Sequence, residues 1–226
     1  MRCDQCQHIC AILRSMKRET YHHGDLRRAL IDAAYELLRS VDPGALSLRQ
    51  VSEKIGVSHA AAYRHFRDKA DLWAAVSEAG FSRLTARLQT ARTGAGPSYR
   101  EQLAAMSDEY VRFAIEEPSV YRLMFGPRFQ EQLARAGFEE SARLAFFELH
   151  GTVVGAQEAG LIREGSSFLI SQTIWALLHG LALLYLDGQL TADASYLITG
   201  QCWNFLWEGI EKHPGGSSGE LPPGAQ

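Results

Sequence analysis

The sequence LSLRQVSEKIGVSHAAAYRHFRDK at residues 46–69 decides the fold. Ser47 and Gln50 form a capping box, which predicts the start of a short helix. Gly56 ends this helix, because glycine tolerates the positive φ angle that a tight turn requires. Ser58 then caps a second short helix. Two short helices joined by such a turn predict a helix-turn-helix.

The second short helix is expected to have a core face and an outward face. Ala62 and Phe66 lie four residues apart, so both should face inward, and the small Ala62 lets the two helices approach closely. The side chains expected to face outward are those of His59, Ala60, Tyr63 and Arg64. A second helix whose first residues face outward is the one that enters a DNA major groove.

The sequence on both sides of this motif also has helical periodicity. An apolar stripe from Leu26 to Val41 predicts a helix that ends at Asp42-Pro43-Gly44. Asp68 opens a fourth helix that should run to about Arg92. Further helices are expected over residues 99–116, 120–125, 129–159, 167–186 and 192–211. No segment alternates strictly enough for a strand, so the expected fold class is all-α.

The composition is that of an ordinary globular protein. Hydrophobic residues make up 46% and charged residues 22%, which excludes a mainly disordered chain or a fibrous repeat. The longest apolar run, residues 174–186, is shorter than the ~20 residues of a membrane-spanning helix. The N-terminus has no apolar run of signal-peptide length. We therefore expect a soluble, cytoplasmic protein without a membrane partner.

The charge is distributed unevenly along the chain. Residues 1–69 carry a net charge of +4 and the remainder carries −7, within a total of −3. A basic front part suits an anionic partner such as a nucleic acid. The acidic rear part does not share this preference, which predicts that only the front part meets such a partner.

Catalytic and metal-binding interpretations find little support. The sequence has no nucleophile elbow, no P-loop, no dinucleotide-binding glycine motif and no zinc-protease motif, so we expect no enzyme activity and no cofactor. Cys3, Cys6, His8 and Cys10 are the residue types of a zinc site. Because no second ligand pair follows them, we expect no metal.

Four short segments carry a family resemblance. YHHGDL at residues 21–26, followed by YRHFRDKADL at 63–72, resembles the DNA-binding domain of the tetracycline-repressor (TetR) family. EPSVYRLMF at 117–125 and WALLHG at 175–180, a W-x3-H-G motif, resemble one C-terminal type of that family. The resemblance implies an N-terminal three-helix helix-turn-helix domain, joined by a long fourth helix to an all-helical ligand-binding and dimerisation domain.

The expected domain boundaries combine the helical pattern with this resemblance. Residues 21–75 would form the DNA-binding domain, and residues 76–212 the ligand-binding and dimerisation domain. Residues 1–20 are polar and without clear periodicity, which predicts a disordered extension; whether residues 1–15 are translated stays open. The Gly-, Ser- and Pro-rich residues 213–226 are expected to be a disordered tail.

The resemblance assigns roles on DNA to eight residues. Tyr63 and His65 occupy positions that touch phosphates, and Lys69 begins the fourth helix, where a phosphate contact is usual. Arg49 matches a position that can grip a guanine edge, although an ion pair with Glu53 is the alternative role. The other residues of the set, on the recognition helix itself, are His59, Ala60, Ala61 and Arg64.

The same resemblance implies a small-molecule pocket and a dimer interface in the ligand-binding and dimerisation domain at residues 76–212, the rear domain. The candidate pocket residues are Met106, Tyr110, Phe113, Met124, Phe147, His150, Trp175 and His179. The candidate interface residues, on the last two helices, are Leu177, Leu181, Leu184, Ile198, Cys202 and Phe205. The alternative for each of these residues is an ordinary position in the chain's own core.

These expectations together describe a homodimeric repressor that binds double-stranded operator DNA. A small apolar effector in the rear domain would act through the fourth helix and release the dimer from a palindromic operator. Activation instead of repression stays open. The alternative function is a helical small-molecule-binding module, or an enzyme, without a role on DNA.

Overall fold

The computed structural model describes residues 23–126 and 139–212. Within them the chain forms nine helices, and its only strand-like feature is an isolated bridge between Ile162 and Glu211. The helices are α1 (His23–Leu37), α2 (Leu48–Lys54), α3 (His59–Tyr63), α4 (Lys69–Gly94), α5 (Tyr99–Glu116), α6 (Pro118–Phe125), α7 (Glu139–Glu158), α8 (Ser167–Leu186) and α9 (Ala192–Ile210). The all-α fold class is therefore confirmed. The expected extension at residues 1–20, the N-terminal cysteine cluster and the tail at residues 213–226 lie outside the described residues.

The helix-turn-helix forms with the caps that its sequence predicts. Ser47 Oγ accepts a hydrogen bond from the backbone N–H of Gln50 at 3.3 Å, and Gln50 Oε1 accepts one from the N–H of Ser47 at 2.8 Å. Gly56 has a φ angle of +71°, which ends α2 in a tight turn. Ser58 caps α3 by accepting a backbone hydrogen bond from its first turn at 3.2 Å.

Helices α1, α2 and α3, which together form the front domain, close around a small core. The predicted inward pair, Ala62 and Phe66, is buried. Helix α1 ends at Leu37, four residues before Val41, where the predicted apolar stripe ends. The chain between them forms turns, in which the N–H of Val41 donates to the Leu37 carbonyl at 2.9 Å. The other buried side chains of this core include Leu30, Tyr35, Leu38, Leu46, Leu48 and Val51.

Helix α4 is a single element of 26 residues that belongs to both halves of the molecule. It begins at a cap in which the Asp68 carboxylate accepts the N–H of Asp71 at 2.9 Å. It packs against α1 on one side and against α5, α6 and α7 on the other parts of its surface. At 1.5 Å per residue the helix is about 39 Å long. The front and rear domains therefore share one continuous helix.

Helix α6 lies unusually close to α4 at Gly80. A Cβ atom added to Gly80 would lie 2.6 Å from Met124 Sδ and 2.9 Å from Val120 Cγ1. Any larger residue would have to displace these side chains of α6. The absence of a side chain at Gly80 therefore sets the distance between the two helices.

Helix α8 is the one described helix that is long and apolar enough, by length and composition alone, to cross a membrane. The core helix of a soluble protein meets the same criterion. Helix α8 packs against α5, α7 and α9 of its own chain, with Ile170, Ile174 and Leu178 among its buried residues. One such helix does not indicate a membrane protein.

Candidate functional site

The residues expected to meet DNA lie on α2, on α3 and the turn after it, and at the first residue of α4. The Tyr63 side chain protrudes with 56% of its surface exposed. The other exposed members of the set are Arg49, His59, Ala60 and Arg64, and the half-buried members are Ala61, His65 and Lys69. The surface therefore combines three cationic side chains with small residues that permit close approach. Its role on DNA stays a prediction.

Glu53 contacts two of these candidate residues. Arg49 Nε donates to Glu53 Oε1 at 2.8 Å, which is the ion pair that the four-residue spacing predicts. His59 Nε2 lies 3.6 Å from the same oxygen. The hydrogen bond from Arg49 lowers the pKa of the Glu53 carboxyl. Because the Arg49 Nε–H is engaged by this carboxylate, Arg49 can bind a base edge through its Nη groups or after leaving Glu53.

Lys69 contacts the loop that precedes α2. Its Nζ donates to the carbonyl oxygen of Gly44 at 2.8 Å and lies 5.4 Å from the ring centroid of Trp73. The ammonium group therefore holds the start of α4 against this loop. A phosphate contact by Lys69 has to share or replace the hydrogen bond to Gly44.

A cavity of about 630 Å³ lies between α4, α5, α6, α7 and α8. This size falls within the usual range for small-molecule sites, ~300–1,000 Å³. Most of its lining is aliphatic or aromatic. Five of the residues predicted for the pocket line it: Met106, Tyr110, Phe147, Trp175 and His179.

Three predicted pocket residues do not line the cavity, which corrects the sequence analysis. Phe113 is buried, and the Arg87 guanidinium lies 5.5 Å from its ring centroid. Met124 is fully buried against α4. His150 Nδ1 lies 3.1 Å from Ser171 Oγ, so the side chain bridges α7 and α8 beside the cavity. All three serve packing between helices.

The sequence analysis missed the contribution of α4 to the cavity. Phe81, Leu84 and Leu88 line it from this helix. Their three- and four-residue spacing was a usable signal, because it places all three on one helical face.

A polar cluster lies at one end of the cavity. Tyr121 Oη is 2.6 Å from His179 Nδ1 and 3.0 Å from Tyr110 Oη, and Tyr110 Oη is 3.3 Å from the same ring nitrogen. The Trp175 indole stacks on the His179 ring with a centroid distance of 5.2 Å and an angle of 19°. Within the described part of the chain, no group of three or more His, Cys, Asp or Glu side chains is placed to hold a metal ion.

Two family models match the chain where these two sites lie. The model of bacterial regulatory proteins of the tetR family matches residues 30–76, and the tetracyclin repressor-like C-terminal domain matches residues 103–199. The chain belongs to the TetR family. The first model spans the helix-turn-helix and the start of α4, and the second spans most of the cavity. The protein thus has the fold and the domains of a TetR-family transcriptional regulator.

Individual relatives agree with membership of the TetR family. The nucleoid occlusion factor SlmA of Marinobacter nauticus is 32% identical over 148 residues, which cover 62% of this chain and 70% of the relative. A structure of a protein of unknown function from Rhodococcus sp. RHA1 has a TM-score of 0.74 and 34% identity, and the match covers 86% of this chain and 100% of that one. A TetR-family regulator from Pectobacterium atrosepticum, with a TM-score of 0.71, 20% identity and coverage of 87% and 100%, shares the fold.

The last two helices of this TetR-family chain expose an apolar face. Among the predicted interface residues, Leu184 and Phe205 are exposed, whereas Leu177, Ile198 and Cys202 are half-buried. Leu181 is buried in the chain's own core, so it has no surface to offer to a second copy, and this corrects the sequence analysis. The other large apolar residues exposed on these two helices, which the prediction did not include, are Phe168, Leu169, Leu183 and Leu197.

Proposed function

We propose that this protein is a dimeric DNA-binding repressor that a small, mainly apolar effector releases from a palindromic operator. The observation that carries the proposal is the course of α4. This helix begins at Lys69, directly after the helix-turn-helix, and lines the cavity with Phe81, Leu84 and Leu88. One continuous element thus contacts both candidate sites, which supports an energetic coupling between them.

Contacts to phosphates and contacts to bases have different tasks in this proposal. Tyr63, His65 and Lys69 bind phosphates and so position the domain, which adds affinity without sequence information. The residues that meet or approach base edges are Arg49, His59, Ala60, Ala61 and Arg64. The two alanines donate no side-chain hydrogen bond, so specificity depends mainly on the cationic and imidazole groups.

Dimerisation places two recognition helices on one operator. Two half-sites about one helical turn apart require recognition helices ~34–36 Å apart. The exposed apolar face of α8 and α9 is the surface that we assign to the dimer. A two-fold axis through this face explains why the operator should be an inverted repeat.

The effector acts through the contact between α6 and α4. Helix α6 supplies Phe125 to the cavity and Tyr121 to its polar end, and it packs on α4 at Gly80. An effector that changes the position of α6 therefore changes the position of α4 and of the helix-turn-helix at its start. A coupling free energy of roughly 1–3 kcal/mol is typical for such systems and is equal in both directions.

Selection of bound sequences from random duplex DNA tests the proposal. We expect an enriched inverted repeat, whose affinity falls in Tyr63→Ala and stays unchanged in Leu161→Ala, the loss of an exposed uncharged side chain in the rear domain. A bound inducer carried through purification could also prevent enrichment, so the protein is unfolded, washed and refolded before a second selection. A folded dimer that enriches no sequence in either selection overturns the proposal.

A further inference from the structure

The polar end of the cavity carries no net charge at neutral pH. Burial raises the pKa of the Tyr110 hydroxyl and, aided by Tyr110 itself, that of the Tyr121 hydroxyl. Burial lowers the pKa of the His179 imidazole. Both phenols therefore keep their protons and the imidazole stays neutral. The cluster can offer hydrogen bonds to a ligand but cannot neutralise an ionic group.

The tautomer of His179 sets the direction of the hydrogen bonds within the cluster. When Nδ1 accepts, Tyr121 donates to it at 2.6 Å and Tyr110 donates to Tyr121 Oη at 3.0 Å. A neutral imidazole that accepts at Nδ1 carries its proton on Nε2. In this tautomer His179 presents Nε2–H as a donor, and no described residue accepts from it.

The ring of His179 is held in place for such a contact. It stacks on Trp175, and the Phe125 ring lies edge-on with a centroid distance of 5.0 Å. His179, Trp175 and Phe125 all line the cavity. A donor that is fixed by packing loses little entropy when it binds a ligand.

The described residues bring one charged side chain to the cavity wall. Arg143 is the only charged side chain among the described residues that line the cavity. It is exposed, its Nη1 donates to Glu140 Oε2 at 3.1 Å, and its guanidinium lies 5.4 Å from the Phe147 centroid. It makes no recorded contact with the polar cluster. An ionised ligand group beside His179 would lose its hydration without gaining a counter-charge.

We infer that the cavity binds an uncharged, mainly apolar molecule through one neutral oxygen atom that accepts a hydrogen bond from His179 Nε2. A ketone, an ester, an ether or an alcohol meets this requirement, and a carboxylate does not. The inference rests on the ligand site of the proposed function and adds the chemical class of its ligand.

Competition between two probes of equal chain length tests this inference. In the experiment, decan-2-one and decanoate compete at neutral pH with the fluorescent probe N-phenyl-1-naphthylamine, which is bound to the full-length protein first. We expect decan-2-one to bind at least about tenfold more tightly than decanoate, because the buried carboxylate stays uncompensated. Equal or tighter binding of decanoate, or binding of neither compound, overturns the inference.

Variants identify the atom that binds the oxygen. His179→Phe should weaken the binding of decan-2-one about twofold to tenfold, which is the contribution of one hydrogen bond. His179→Gln keeps a donor, so it should lose less of this affinity, and it replaces His179→Phe in the test if that variant does not fold. His150→Phe is the matched control, because His150 lies beside the cavity without lining it. An unchanged affinity for decan-2-one in both His179 variants overturns the inference. Tight decanoate binding that is lost only in Arg143→Gln overturns it as well.

The competition contains no DNA and measures the ligand class alone. A separate titration of the operator with decan-2-one and decanoate present measures release, so the two proposals can fail independently. Tight binding of decan-2-one without any effect on operator binding would refute release by the effector and leave the ligand class intact. An operator that responds only to anionic compounds would refute the ligand class and leave the regulator intact.

Discussion

The Glu117 carboxylate and the Arg39 guanidinium join the two halves of the molecule. Glu117 Oε1 accepts a hydrogen bond from Arg39 Nη2 at 2.9 Å, with Arg39 just after α1 and Glu117 directly before α6. The Glu117 side chain is only 6% exposed, whereas that of Arg39 is 62% exposed. No described residue bonds to Glu117 Oε2. The buried carboxylate therefore depends on one surface arginine.

Replacing Arg39 should destabilise the fold more than replacing Glu117. Arg39→Met leaves a buried carboxylate without its partner, which should lower the free energy of unfolding by about 1–3 kcal/mol. Glu117→Gln removes the charge and keeps an acceptor for Arg39, so the loss should stay below about 1 kcal/mol. Urea unfolding at a fixed protein concentration measures both values. Equal free energies of unfolding for Arg39→Met and Glu117→Gln would show that the buried Glu117 carboxylate is not stabilised by Arg39.

Tyr63 and Arg49 should affect operator binding in different ways. Tyr63→Ala should weaken binding to all duplexes alike, because it removes a phosphate contact. Arg49→Ala should relax the preference at one base pair by roughly 1–3 kcal/mol. Titration of a library of operator variants measures both effects. An unchanged preference in Arg49→Ala would assign Arg49 to its ion pair with Glu53 alone.

Lys69 should contribute one unit of charge to the salt dependence of DNA binding. Lys69→Met should reduce the slope of log K against log salt concentration by about 0.9. The experiment compares nonspecific binding of both proteins over a range of salt concentrations. If the slope does not change while the protein becomes less stable, Lys69 acts only through its hydrogen bond to Gly44.

A charge on the exposed face of α9 should separate the dimer. The Phe205 side chain is 75% exposed in the isolated chain, so Phe205→Glu should leave the fold intact. In a dimer interface the same carboxylate would be buried without a partner, which strongly disfavours association. Sedimentation velocity should then find monomers. Leu161→Glu, an exposed site in the loop between α7 and α8, is the control and should stay dimeric. A dimeric Phe205→Glu protein would place the interface elsewhere.

His179 should make the fold less stable in mild acid. Burial lowers the pKa of its imidazole below the ordinary value of 6.5. At a pH between these two values, His179 is protonated in the unfolded chain and neutral in the folded chain. The stability contribution is complete above about pH 6.5 and is lost as the pH falls from there toward the lowered pKa. Between about pH 7.5 and pH 5.5, the wild-type protein should lose more free energy of unfolding than His179→Gln. Identical losses would mean that His179 titrates alike in both states.

Local interactions made the front domain predictable from sequence. The caps at Ser47 and Ser58 and the turn at Gly56 depend only on residues within a few positions, so a single sequence contains all the information needed. The cavity depends instead on the packing of five helices. Phe113 and Met124 are of residue types that are common in apolar pockets, but in the structure both are buried in contacts between helices.

Two features of the rear domain had no usable signal. Helix α8 is apolar on most of its surface, so the sequence does not tell whether Leu181 or Leu184 faces outward. The structure buries the first and exposes the second. The close approach at Gly80 depends on which side chains of α6 lie opposite, and periodicity in α4 alone cannot identify them.

The unbroken course of α4 implies that small changes at the cavity grow with distance. Phe81 lies twelve positions from Lys69, which corresponds to about 18 Å of helix at 1.5 Å per residue. A tilt of about 5° around Phe81 would therefore move the Lys69 end by about 1.6 Å, a shift of the size seen in other allosteric transitions. In the proposed mechanism α4 would act as a lever arm that pivots at the cavity. Inserting one helical turn between these two residues would lengthen the arm and increase the stroke.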